Sequence, residues 1–190
     1  MTKLNVIIEI SKKKIWHKKS DIIVNAILQT IKHLKSFRSE ILDTTLMISV
    51  LLSDDKRLHK MNLKYRNQNK PTNVLSFQNI SWQDEIKDIL SLEQIDITKN
   101  THCYSIDGDT CLKQVFHDKS LKVLQVGDIA ISYERILEES QEQERTFDEY
   151  LSFITIHGTL HLMGYDHQTE EDTAIMEELE RLIMSQCMKV

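Results

Sequence analysis

Glycine and proline are nearly missing from this 190-residue chain, which holds four of the first and one of the second. So few turn formers predict long, helix-rich elements, and each glycine that does occur needs a local reason. Cysteine is also scarce. Cys103, Cys111 and Cys187 are odd in number and form no CxxC pair, which argues against a disulfide framework and for a reducing, cytoplasmic compartment. No apolar run approaches the ~18–20 residues that a membrane span needs. The opening stretch MTKLNVIIEI lacks a charged head, a long apolar segment and a small-residue cleavage site, so it reads as a strand rather than an export signal.

What is present fits one domain spanning residues 1–190 with a real hydrophobic core. The net charge of −5 argues against a nucleic-acid partner, but the charge is unevenly spread. KRLHKMNLKYRNQNK, from Lys56 to Lys70, carries six Lys/Arg and no acid, and a second basic cluster spans Lys12 to Lys19. Such a run is either a solvated helix face or a local phosphate-binding surface on an acidic protein. On the second reading Lys60, Lys64 and Lys70 would steer a phosphate backbone.

Hydrophobic periodicity predicts an α+β fold. Leu4 to Ile10, TTLMISVLLS, TNVLSF and QVGDIAISY read as strands, giving a small mixed sheet of about four. DIIVNAILQTIKHLKSF has helical spacing, and Ser53-Asp54-Asp55 introduces a short helix with Leu58, Met61 and Tyr65 inward. Thr146 with Glu149 forms a capping box for a helix that runs to Gly164, a left-handed cap. Thr169 and Asp172 cap a last helix whose inward residues are Ile175, Met176, Leu179, Leu182 and Ile183. About five helices are expected around the sheet. Residues 78–124 show no clear period and read as an inserted or mobile segment.

The chemistry concentrates in HGTLHLMGYDH. His157 and His161, four apart on a helix, direct their rings at one point, and the turn at Gly164 brings His167 round to join them. Three neutral imidazoles leave one zinc position open, the mark of a catalytic rather than a structural site. Ligand and glycine spacing match the long zinc-peptidase motif, except that Gly158 stands where the peptidase keeps its glutamate base. Without that proton carrier amide cleavage is disfavoured, whereas a phosphodiester mainly demands charge stabilisation on phosphoryl oxygens. Arg66, at the end of the basic run, suits that task as a catalytic residue. Asp166 is either a turn residue or an orienting group for a histidine.

These segments resemble the YbeY family of bacterial endoribonucleases. HGTLHLMGYDH is similar to its signature, NLKYRNQNKPTNVLSF to its arginine-containing segment, and VGDIAIS to a third block, together covering about residues 44–77 and 125–183. The resemblance implies a small central sheet wrapped by helices with a zincin-like metal helix. It implies one zinc or other transition-metal ion on His157, His161 and His167, with Arg66 essential. It further implies cleavage of single-stranded rRNA during 3′-end maturation of the small subunit and in ribosome quality control, with the small ribosomal subunit or its proteins as partners. The departure is the long join from Phe77 to Gly127; His102, Cys103, Cys111 and His117 within it are too irregularly spaced to suggest a second metal site. Two other readings remain open. One is a non-catalytic ribosome-assembly or RNA-binding factor with a structural metal. The other is a zinc peptidase-like hydrolase that draws its base from elsewhere, for example Asp166.

Overall fold

The structure, a computed structural model, describes residues 3–10, 15, 16, 18–37, 44–79, 101–105 and 122–188. The strands are β1 (Lys3–Ile10), β2 (Thr44–Ser53), β3 (Val74–Gln78), β4 (Thr101–Ser105) and β5 (Lys122–Ser132). The helices are α1 (Ser20–Phe37), α2 (Asp55–Arg66), α3 (Tyr133–Glu142), α4 (Phe147–Leu162) and α5 (Glu170–Cys187). One sheet runs β3-β5-β2-β1-β4, with β4, β1, β2 and β5 parallel and β3 antiparallel at one edge. The architecture is α+β, as the periodicity predicts.

The alternation of side chains along the strands assigns the two faces of the sheet. Leu46, Ile48, Val50 and Leu52 of β2, Val74 of β3 and Ile129 and Ile131 of β5 enter the main core with α1, α4 and α5. Leu51, Leu75, Phe77 and Ala130 point the other way and meet Leu58 and Met61 of α2. Val126 and Ile129 share the main core despite their odd spacing because a bulge intervenes, where the β2–β5 register skips from Gln125 to Gly127. Gly127 is required there: a Cβ would lie 2.3 Å from the Phe77 carbonyl oxygen and 2.8 Å from Leu162 Cδ2.

Helix α4 is the hub. Tyr150, Leu151, Ile154, Thr155, Ile156, Gly158, Thr159, Leu160 and Leu162 are buried around nearly its whole circumference, as befits a helix enclosed by α1, α3, α5, β3 and β5. Its two buried threonines are satisfied within the helix, Thr155 donating to the Leu151 carbonyl and Thr159 to that of Thr155, both at 2.7 Å. The Thr146–Glu149 capping box closes its N-terminus. Trp16 anchors the neighbouring corner, fully buried, edge-on to Tyr133 and donating to the Ser53 carbonyl at 3.0 Å.

Three points differ from the sequence reading. Tyr65 is 57% exposed rather than inward, set edge-on to Phe77 on the flank of α2, and Ile175 faces solvent at 47%. Helix α3 is not separable from periodicity because its polar sequence YERILEESQE buries only Ile136 and Ser140. β4 forms inside the segment read as inserted or mobile, pairing with β1. Residues 80–100 and 106–121 of that segment, with Cys111 and His117, and the side chains of His102 and Cys103, lie outside the described residues, as do residues 12–14 and 17 of the first basic cluster.

Candidate metal centre

The site is built on the C-terminal half of a buried helix, where the His157 and His161 side chains are part-exposed. His157 and His161 sit one turn apart near the end of α4, with ring centroids 4.6 Å apart and Nε2 atoms 3.1 Å from each other. The chain then reverses at Gly164, whose φ of +86° is the left-handed conformation glycine adopts without a steric penalty. The Tyr165 N–H donates to the Leu160 carbonyl at 3.1 Å and locks that reversal. His167 follows, its ring 5.1 Å from His161 and 5.7 Å from His157. One nitrogen from each of the three rings lies within 4.8 Å of the others.

Two of the three outer nitrogens are held. His161 Nδ1 donates to the Tyr165 carbonyl at 3.0 Å, and His157 Nδ1 donates to Glu180 Oε1 at 2.7 Å. A neutral imidazole that donates through Nδ1 presents a lone pair on Nε2. Two such lone pairs facing each other at 3.1 Å repel unless a cation or proton lies between them. Tetrahedral Zn–N bonds of about 2.0–2.1 Å separate nitrogens by about 3.4 Å, so the donor set fits a divalent ion in type and spacing. Burial, then the neighbouring His157 and His167, push His161 down to about 4, which keeps it in the neutral form a ligand needs.

Arg66 reaches the same cleft. The cleft measures about 450 Å³, and its wall includes Arg66, Ser76, Gln78, His161, Asp166 and His167. Arg66 ends α2, where Asn67 takes a left-handed cap and the buried Asn62 amide donates to the Lys70 carbonyl at 2.9 Å. That bond folds the following loop back onto the helix and fixes where Arg66 leaves it. Among the described residues no acid pairs with the Arg66 guanidinium. Lys60, Lys64 and Lys70 are exposed and contribute nothing to the cleft wall; Lys64 lies over the Tyr65 ring, 4.8 Å from its centroid. Asp166 caps the turn by accepting from the His167 N–H at 2.9 Å, and it stands 3.8 Å from His161 Nδ1.

Gly158 has a packing reason. Its face of α4 lies against the sheet, where a Cβ would meet Ser76 Oγ at 3.1 Å and Val74 and Ile129 methyls at 3.4 Å. Ser76 Oγ donates to the Gly158 carbonyl at 3.2 Å. Sequence reading missed Glu180. Its signal was an acid four residues after Met176 and three before Ile183, inside the buried stripe of α5.

Comparison with known proteins adds three findings. A family model described as Endoribonuclease YbeY matches residues 6–188. Endoribonuclease YbeY of Thermoanaerobacter sp. strain X514 is 29% identical over 182 residues, 96% of each chain, and that of Magnetococcus marinus is 34% identical over 133 residues, 70% of this chain and 72% of the relative. A solution structure from Thermotoga maritima is similar at a TM-score of 0.49 and 19% identity, covering 97% of this chain and 88% of that one.

Proposed function

Since the chain belongs to the YbeY family of endoribonucleases, we propose that it is a hydrolase that cleaves single-stranded RNA with the help of a divalent ion, zinc in the first instance. Its substrate is rRNA at the 3′ end of the small subunit, its partners are the small ribosomal subunit or its proteins, its further role is ribosome quality control, and its place is the cytoplasm. One observation carries the reading: His161 and His167 of the converged histidine trio line one open cleft with Arg66, an arginine that pairs with no acid among the described residues. Among the described residues no helix is long and apolar enough to cross a membrane.

His157, His161 and His167 would hold the ion. When bound, it supplies Lewis-acid charge to a phosphoryl oxygen and lowers the pKa of water. Arg66 lines the same cleft as His161 and His167, and its planar fork would grip two non-bridging oxygens while keeping its proton. With no acid paired to it among the described residues, the guanidinium is available for charge that builds up on phosphorus. Gly158 offers no proton carrier, and its direction into the sheet gives a peptidase-type base no room. Lys60, Lys64 and Lys70 lie outside the cleft wall and act on the RNA backbone at longer range.

The test is cleavage of single-stranded rRNA fragments by purified protein, alongside His157→Ala and Arg66→Ala. Both variants should lose activity by two orders of magnitude or more while remaining folded. Equal cleavage by all three proteins overturns the reading. RNA binding that survives while no protein cleaves would establish the assembly-factor alternative instead.

A further inference from the structure

The three histidines are not equally held, and the difference points to a residue outside the trio. His161 leans on a backbone carbonyl of its own turn. The His167 ring makes no hydrogen bond among the described residues. His157 alone is held by an ionisable side chain from another helix, Glu180 of α5, at 2.7 Å. Glu180 is only 8% exposed, the one carboxylate among the buried polar side chains described. A carboxylate is rarely buried without a partner that requires it, because desolvation costs several kcal/mol.

Resting on the proposed metal-dependent reading, we infer that Glu180 is a positioning residue that fixes the ring and tautomer of His157 and thereby sets the affinity of the centre for its ion. The carboxylate accepts from Nδ1, so the Nε2 lone pair must face His161. Its negative charge also raises the basicity of that imidazole as a ligand. The surrounding α5 side chains hold the carboxylate in place: Met176 and Ile183, one turn to either side, are buried in the main core. α5 therefore does more than close the core, because its seating on α4 delivers the acceptor that aims a ligand.

The experiment measures zinc affinity of the full chain by competition with a chromophoric chelator, together with the melting midpoint of the metal-free protein. Variants are Glu180→Gln, Glu180→Leu and, as a control on the exposed side of α5, Glu177→Gln. Glu180→Leu should bind zinc 10–100-fold more weakly, as loss of such a partner does at other metal sites. Glu180→Gln keeps an acceptor oxygen but not the charge and should fall between it and the wild type. Glu177→Gln should bind like the wild type. The metal-free midpoint of Glu180→Gln should stay near wild type, since its amide oxygen still accepts from His157 Nδ1, whereas Glu180→Leu leaves that N–H without a partner and should melt lower. A purely structural role predicts that Glu180→Gln loses zinc affinity only in step with metal-free stability, and that result overturns the inference. So does zinc binding within twofold of wild type in both Glu180 variants, and so does a wild type that binds no zinc. RNA cleavage by the wild type reads the proposed function separately, so an active enzyme with a Glu180-independent centre refutes this inference alone.

Discussion

The glycine at position 158 sets the sharpest test, because fold and chemistry give different reasons for it. If glycine is there only to remove a peptidase base, then putting the glutamate back should be tolerated and could restore peptide cleavage. The structure predicts otherwise. A Cβ at Gly158 touches three atoms within 3.4 Å, one of them the Ser76 hydroxyl at 3.1 Å. For Gly158→Ala two effects oppose each other. Exchanging glycine for alanine inside a helix gains about 1 kcal/mol. Disturbing the Ser76–Gly158 hydrogen bond loses about 0.5–1.5 kcal/mol. The net change should stay within about 1 kcal/mol. Gly158→Glu has no such balance. Forcing four more heavy atoms into a filled gap costs about 1–3 kcal/mol, and a carboxylate aimed at Val74 and Ile129 adds a few kcal/mol more. A total of roughly 4 kcal/mol is a large part of a domain's 5–15 kcal/mol. At about 2–4 °C per kcal/mol the midpoint should drop by roughly 8–16 °C. Urea and thermal unfolding measure both variants, and an unstructured protein substrate reports peptidase activity. A Gly158→Glu protein that melts near wild type and cleaves that substrate would refute the packing account.

Three further outcomes are expected. Gly127→Ala places a Cβ 2.3 Å from the Phe77 carbonyl oxygen, which cannot swing aside, and should cost about 3 kcal/mol or more in urea unfolding; a loss under 1 kcal/mol would mean the bulge can relax. In metal-free protein, His161 titrates near 6.5 when unfolded and about 4 when folded, so its contribution is full above pH 6.5 and is lost as pH falls toward 4, on the order of 3 kcal/mol in all. His161→Gln should flatten the stability profile across that window, and an unchanged slope would contradict the buried neutral ring. Replacing Lys60, Lys64 and Lys70 together by glutamine should lower the slope of log affinity against log salt for single-stranded RNA by about 2. An unchanged slope would return that run to the solvated-face reading.

Much of the fold was legible because strand and helix periods differ and the caps are local. TTLMISVLLS is β2 residue for residue, Asp54 accepts from the Arg57 N–H as the N-cap of α2, and Thr146 and Thr169 cap α4 and α5. What escaped depends on tertiary packing. α3 buries too little for its period to register, and Tyr65 and Ile175 occupy inward spacing on helices whose orientation only the neighbouring elements decide. The histidine cluster was legible because helix geometry and one glycine turn suffice to converge the rings. Glu180 was not, because its meaning depends on where α5 docks, and an acid on a helix usually faces water.

That contrast bears on how the cleft is assembled. His157 and His161 belong to the buried hub helix, so their backbone moves only if the main core does. Arg66 belongs to α2, which rests on the other face of the sheet through the small cluster of Leu58, Leu75 and Ala130. The two meet because β3 and β5 link both layers: Val74 and Ile129 pack toward α4, while Leu75 and Ala130 pack toward α2. The distance from arginine to histidines is thus set through two strands rather than by direct contact. A cleft built this way can be altered from the α2 side without unfolding the core. Leu58→Ala should therefore cost about 2–5 kcal/mol of stability. At temperatures where it remains folded, it should lower RNA cleavage while leaving zinc affinity near wild type. Cleavage and zinc affinity falling in step would show instead that arginine and histidines share one support.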